Sequence, residues 1–222
     1  METKKLGIGT EIVIGTALFI FIAYGMYLKH FVGYDAFQNY IREDGPVEYL
    51  TALLLFFSSL VCFYRVFQYR KIKKPLWILT WTVLGLLFFF AAGEEISWGQ
   101  RILGIQSSEF FLQHNKQGET NLHNLTVKGK NLNIIIFSRL MFVVLFIYFA
   151  LSRLMVWKIS VIRNLVNRFK VPLPGIQHIV IMLAATLFIL LIHIAKESEL
   201  HELSFGFIFL MIFLNPARIG NE

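Results

Sequence analysis

Two adjacent carboxylates are the strongest chemical signal in this chain. In GEEISWGQRILG, residues 93–104, Glu94 and Glu95 directly follow the apolar run LGLLFFFAAG. That places them at the edge of hydrocarbon, where desolvation of two charges favours a shared proton and a carboxylate able to act as a general base. The same pair could simply end a helix and face water, although the helix dipole favours cations at that end. Downstream, QHNKQGETNLHN, residues 113–124, supplies His114, Glu119, Asn121, His123 and Asn124. Arg139 lies in the apolar run NIIIFSRLMFVVLFIYFAL, where a cation costs several kcal/mol unless it snorkels or meets Glu48, Glu94 or Glu95 at the same depth. These types define a catalytic set of Glu94, Glu95, Arg139 and His123, with Trp98, Gln100, Arg101, Glu119 and Asn124 as substrate-binding residues.

A third cluster is HIAKESELHEL, residues 193–203. In an unbroken helix His193, Glu197 and His201 would share one face and offer nitrogen and oxygen to a metal. A helix through both flanking apolar runs would be about 40 residues and about 60 Å long, twice the hydrocarbon thickness. The chain must therefore turn here, and only two of the three share a face. Glu199 and Glu202, spaced i and i+3, open the following run. The metal reading takes His193, His201, Glu199 and Glu202 as ligands of a divalent ion such as zinc; the alternative is a solvated hairpin.

The elements that position these groups follow from composition. Of 222 residues, 56% are hydrophobic and 16% charged, against about 25% charged in a soluble domain. There is too little polar surface to cover a water-soluble globule, so lipid is the expected solvent. One cysteine, Cys62, excludes an internal disulfide and a cysteine-based zinc site. Runs at about 8–28, 47–64, 76–94, 133–152, 174–195 and 199–215 predict an all-α, polytopic bundle of about six transmembrane helices, with Pro46, Pro75, Pro172, Pro174 and Pro216 at their edges. The first run lacks a small-residue cleavage site and reads as an anchor.

Most of the 21 cations fall on one side, including Lys4, Lys5, Arg70, Lys71, Lys73 and Lys74. By the positive-inside rule that side and both termini are cytoplasmic, which assigns the net charge of +7 to inner loops and not to nucleic acid. Most of the 14 carboxylates gather at the other face. Residues 153–171, RLMVWKISVIRNLVNRFKV, read as an amphipathic interfacial helix whose partners are anionic lipids of the inner leaflet. Phe31, Tyr34, Phe37 and Tyr40, at spacing three, read as an aromatic belt. The long connection 95–131 reads as an outer polar loop able to act as a lid.

Glu94-Glu95 with Trp98 and Arg101, Phe110 with His114, and His193 with Glu197 resemble the EE…R, FxxxH and HxxxN/D elements of glutamate-type intramembrane proteases of the CAAX-processing superfamily. The resemblance implies a glutamate-activated water attacking an amide within the membrane, with histidines assisting. Here the arginine stands two positions later than in that motif, Phe110 and His114 fall in a loop, and the third element ends in Glu. Residues 43–60, EDGPVEYLTALLLFFSSL, resemble the early acidic and serine element of alkaline-ceramidase-like membrane hydrolases, and GEEISWGQR with ETNLHN resembles segments of bacterial multi-pass membrane proteins. The expected protein is thus a small hydrolase of the bacterial cytoplasmic membrane, acting at the non-cytoplasmic face on a lipid or membrane-bound peptide. A proton- or ion-coupled transporter and a non-catalytic assembly partner are the alternatives. The nearly bare middles of the spans favour a one-sided pocket over a through-pathway.

Overall fold

A computed structural model of the chain describes residues 7–122, 124–127, 130–131, 141–192 and 198–217. The described residues are almost wholly helical: α1 (Ile8–Tyr27), α2 (Tyr34–Ile41), α3 (Pro46–Tyr69), α4 (Pro75–Glu95), α5 (Gln100–Leu103), α6 (Glu109–His114), α7 (Met141–Phe146), α8 (Ser152–Lys158), α9 (Ser160–Phe169), α10 (Ile176–Ile192) and α11 (Ser198–Leu214). One two-residue antiparallel ladder pairs Thr126 with Asn131 and Val127 with Lys130.

Local chemistry explains the helix starts. Pro46 and Pro75 occupy the first turns of α3 and α4, where a missing N–H costs nothing and φ is already helical. The Glu48 carboxylate reaches back to accept from the Asp44 N–H, as a capping carboxylate does, and lies favourably at the positive end of α3.

α11 is the central helix. It packs against α3, α10 and α1, and Leu203, Ile208, Met211 and Ile212 along it are completely buried. Small residues allow the closest approaches, as expected where helices associate by packing. A Cβ on Gly85 would lie 2.8 Å from the Phe63 ring, and one on Gly206 3.2 Å from Leu54. The Ser59 hydroxyl, on α3, donates to the Gly85 carbonyl of α4 at 2.8 Å. An aromatic layer of Phe88, Phe209, Phe213, Tyr148 and Phe149 closes the other side of α11, with centroid separations of 4.8–5.6 Å.

Among the described residues three helices are long and apolar enough to cross a membrane: Gly9–Val32, Tyr34–Tyr69 and Pro75–Glu95. The bent pair Val143–Lys158 and Ser160–Phe169 would make a fourth. This is fewer than the six spans expected from sequence. α10 and α11 have 17 residues each, and residues 132–140 and 193–197, on which the expected spans depend, lie outside the described set.

Two further expectations change. The single amphipathic helix over 153–171 is broken at Ile159, with φ −111° and ψ 106°, and α9 turns 110° away from the preceding helix. Neither proline nor glycine makes the break. Arg163 satisfies the carbonyls freed there, donating to Val156 at 2.8 Å and to Trp157. The aromatic belt is split as well: Phe31 and Tyr34 are exposed, but Phe37 and Tyr40 are buried, and the Tyr40 hydroxyl donates to the Phe21 carbonyl at 3.1 Å.

Contacts order the two ends of the bundle. Thr80 near the start of α4 donates to the Phe169 carbonyl at 2.7 Å, Tyr148 to that of Pro172 at 2.9 Å, and Ala217 pairs with Leu173. Cation-rich residues 70–74 and helix α9 therefore share one end. Glu95, Glu48, Glu199 and Glu202 share the other, near the end of α4 and the starts of α3 and α11.

Candidate functional site

The turn after α4 explains most of the GEEISWGQR motif. Ser97, Trp98 and Gly99 follow one another with φ of 46°, 57° and 74°, a left-handed stretch that costs about 1–3 kcal/mol at each non-glycine residue. Contacts from both flanks offset that strain. The Trp98 indole N–H donates to Glu94 at 2.9 Å, and its ring lies against Gly93, where a Cβ would come within 2.8 Å of it. Phe90 meets the same ring edge-on at 5.5 Å.

Glu94, only 4% exposed, ties this turn to the distant end of the loop. Its second carboxylate oxygen accepts from the Leu122 backbone N–H at 2.6 Å. Further polar atoms are consumed in the same way. The Asn115 side chain donates to both oxygens of Asn121, at 3.0 and 2.8 Å, and accepts from the backbone of Gln117 and Glu119 at 2.8 and 3.2 Å. Its hydrogen-bonding capacity is thereby filled. Asn121 donates to Ser97 at 2.8 Å, and Ser97 donates to Glu119. Gln100 accepts from Ser107 and Thr120 at 3.0 and 2.8 Å, and Asn124 donates to Gln117 at 2.8 Å. Arg101 bridges Glu119 to Asp44, joining the loop to the start of α3.

The structure therefore gathers Glu94, Trp98, Gln100, Arg101, Glu119 and Asn124, and their polar atoms brace the loop. Glu95 parts from its neighbour. One residue further around α4, it faces the bundle and senses Glu202, Glu48, Glu199 and Glu94 as its charged neighbours. Four carboxylates from three helices thus meet at this end. Glu95, Glu48 and Glu199 are half-buried and Glu202 is exposed.

Next to this acidic cluster an apolar groove of about 430 Å³ runs between α3 and α4. Tyr49, Leu53 and Phe56 form one wall and Phe89, Trp98 and Ile102 the other. Tyr49 is next in sequence to Glu48, and Ile96, also in the wall, is next to Glu95. Its volume falls within the roughly 300–1,000 Å³ of small-molecule sites.

The described part of the metal set can be placed. Among the described residues no three His, Cys, Asp or Glu side chains are placed to hold an ion. On α11 His201 points about 200° around the helix from Glu199 and about 100° from Glu202, so the three do not share one face. His193, His123 and Arg139 lie outside the described residues. His114 is exposed, stacked on Phe110 at 4.8 Å. Ser97 and Asn115, central to the loop network, carried no sequence signal beyond a polar residue in a polar loop. No family model, curated protein or solved structure matches the chain.

Proposed function

We propose that the chain is a membrane-embedded hydrolase in which Glu95 is the catalytic carboxylate. Glu48, Glu199 and Glu202 assist it, and the substrate is a lipid or membrane-bound peptide entering along the α3/α4 groove. The observation that carries this reading is the separation of Glu95 from Glu94: one brace is hydrogen-bonded into the loop, and the other is directed at three further carboxylates beside an apolar groove. Carboxylates gathered in a half-buried recess share protons, so one set can supply a general acid and a general base. The groove would hold the apolar part of the substrate, and the loop braced over Trp98 would limit water at the scissile bond.

The membrane setting belongs to the same proposal: a bundle in the bacterial cytoplasmic membrane, cation-rich end inward, recess outward. A transport reading draws on the opposite end of the bundle, where buried His178 lies 3.4 Å from Glu11. Between the two ends the described core is mostly apolar, with Leu18, Ile22, Ile189 and Leu203 fully buried beside the hydroxyls of Ser58, Ser59 and Ser204, which favours a one-sided pocket.

The test reconstitutes the full chain in vesicles made from bacterial membrane lipid and follows lipid and peptide cleavage by mass spectrometry. Glu95→Gln should lower turnover about 100-fold or more, the usual scale for a general base. Equal product from the parent and from Glu95→Gln would refute the proposal. Loss of proton-driven uptake without any loss of cleavage would put the transporter in its place.

A further inference from the structure

Helix α9 lies beside the bundle, and its apolar arc is divided. Ile162, Val166 and Phe169 are half-buried toward the start of α4, to which the Phe169 carbonyl is tied by Thr80. Val161 and Leu165, spaced i and i+4 on the adjoining face, are 64% and 49% exposed. Trp157 and Ile159, at the 110° bend, are exposed too. A helix turned across the axis of its predecessor, with one edge on the bundle and the next edge bare, has the geometry of an element lying in a membrane interface.

The charges around that bare edge indicate what covers it. Lys158 and Lys170 flank α9 at its two ends, and Arg168, three residues after Leu165, borders the exposed stripe. Arg163 is already engaged at the bend. No Asp or Glu occurs in the sequence between Glu119 and Glu197, and none occurs in the neighbouring basic connection 70–74. The described carboxylate at this end, Glu11, lies beside Gln177 and His178, and Lys158 sits over the Trp157 ring at 5.8 Å, so Lys158, Arg168 and Lys170 border the bare stripe with no carboxylate in their own stretch of sequence.

We infer that α9 is a docking element for anionic phospholipid: Val161 and Leu165 enter the acyl layer while Lys158, Arg168 and Lys170 engage headgroup phosphates. The observation behind it is independent of the acidic recess. Apolar insertion and surface charge add, each basic residue near an anionic surface contributing on the order of 1 kcal/mol, so the helix should collect acidic lipid around itself.

The experiment places a single cysteine at Val161 in a full-length Cys62→Ser background and labels it with a small fluorophore. The protein is reconstituted in vesicles of phosphatidylcholine and phosphatidylglycerol at equal mole fraction, with bromine on the acyl chains of one lipid or the other. Quenching by brominated phosphatidylglycerol should exceed that by brominated phosphatidylcholine about three-fold or more. The preference should vanish in Lys158→Gln/Arg168→Gln/Lys170→Gln and persist in Arg168→Lys, which keeps the charge. Equal quenching by both lipids in the parent would overturn the inference, as would a preference that survives the triple variant. A label quenched by aqueous iodide and by neither lipid would show that α9 faces water or another protein, and would also overturn it.

Discussion

Glu94 and Glu95 are adjacent in sequence, and the structure requires their replacements to fail in different ways. The Glu94 carboxylate is buried and accepts from the Trp98 indole N–H at 2.9 Å and the Leu122 backbone N–H at 2.6 Å. A hydrogen bond to a charged group contributes about 1.5–3 kcal/mol, so Glu94→Ala, which orphans both donors, should weaken the docking of the loop by about 3–6 kcal/mol. Glu94→Gln keeps one acceptor oxygen and should cost about 1–2 kcal/mol. Hydrogen exchange at the Leu122 amide reports the opening of this brace directly. A loss of about 3 kcal/mol raises the open population a hundredfold or more, and Leu122 exchange in Glu94→Ala should accelerate by that factor while amides in the middle of α11 stay protected. Glu95→Gln should leave Leu122 exchange nearly unchanged and, under the proposed function, lower turnover about 100-fold. Two outcomes would refute the division of roles: Leu122 protection untouched by Glu94→Ala, or equal acceleration by both variants.

Other substitutions probe the packing. Gly93→Ala forces a methyl to within about 3 Å of the Trp98 ring and should cost about 1–3 kcal/mol, seen as faster proteolysis between residues 97 and 125. Gly85→Ala meets Phe63 at 2.8 Å in the α3–α4 contact and should lower the thermal midpoint in detergent while leaving loop proteolysis alone. Arg65 is buried, donates to the Leu214 carbonyl at 2.6 Å and lies over the Trp81 ring at 5.0 Å; Arg65→Gln should destabilise the end of α11 by about 2 kcal/mol, measured by the same thermal assay. Cysteines placed at Lys71 and at Lys116, each in a Cys62→Ser background, should react with an impermeant reagent from opposite sides of the membrane, and labelling from one side only would refute the proposed orientation.

The helical class and several helix boundaries were legible in the sequence because they depend on local sums. Apolar runs and prolines act over a few neighbouring residues, and Pro46 and Pro75 stand at the first turns of α3 and α4 as their missing N–H groups require. The gathering of Glu94, Trp98, Gln100, Arg101, Glu119 and Asn124 was also foreseeable as a polar concentration between apolar runs. What each member does was not. Sequence proximity paired Glu94 with Glu95, but one step along a helix rotates a side chain by about 100°, and only the positions of α3, α11 and the loop decide what lies in each direction. The metal reading is a related case, since spacing states which residues of one helix share a face and not which other helix completes a ligand set, and His193 lies outside the described residues. The bend at Ile159 is likewise tertiary: no residue there breaks a helix by itself, and the turn is held by Arg163 reaching back to carbonyls six and seven residues away and by α4 meeting α9. Length and hydropathy predicted six spans, whereas three described helices meet the requirement alone. A hydropathy run counts apolar residues wherever they point, whereas the described α10 and α11 reach 17 residues each and the run from 141 bends by 110° at Ile159.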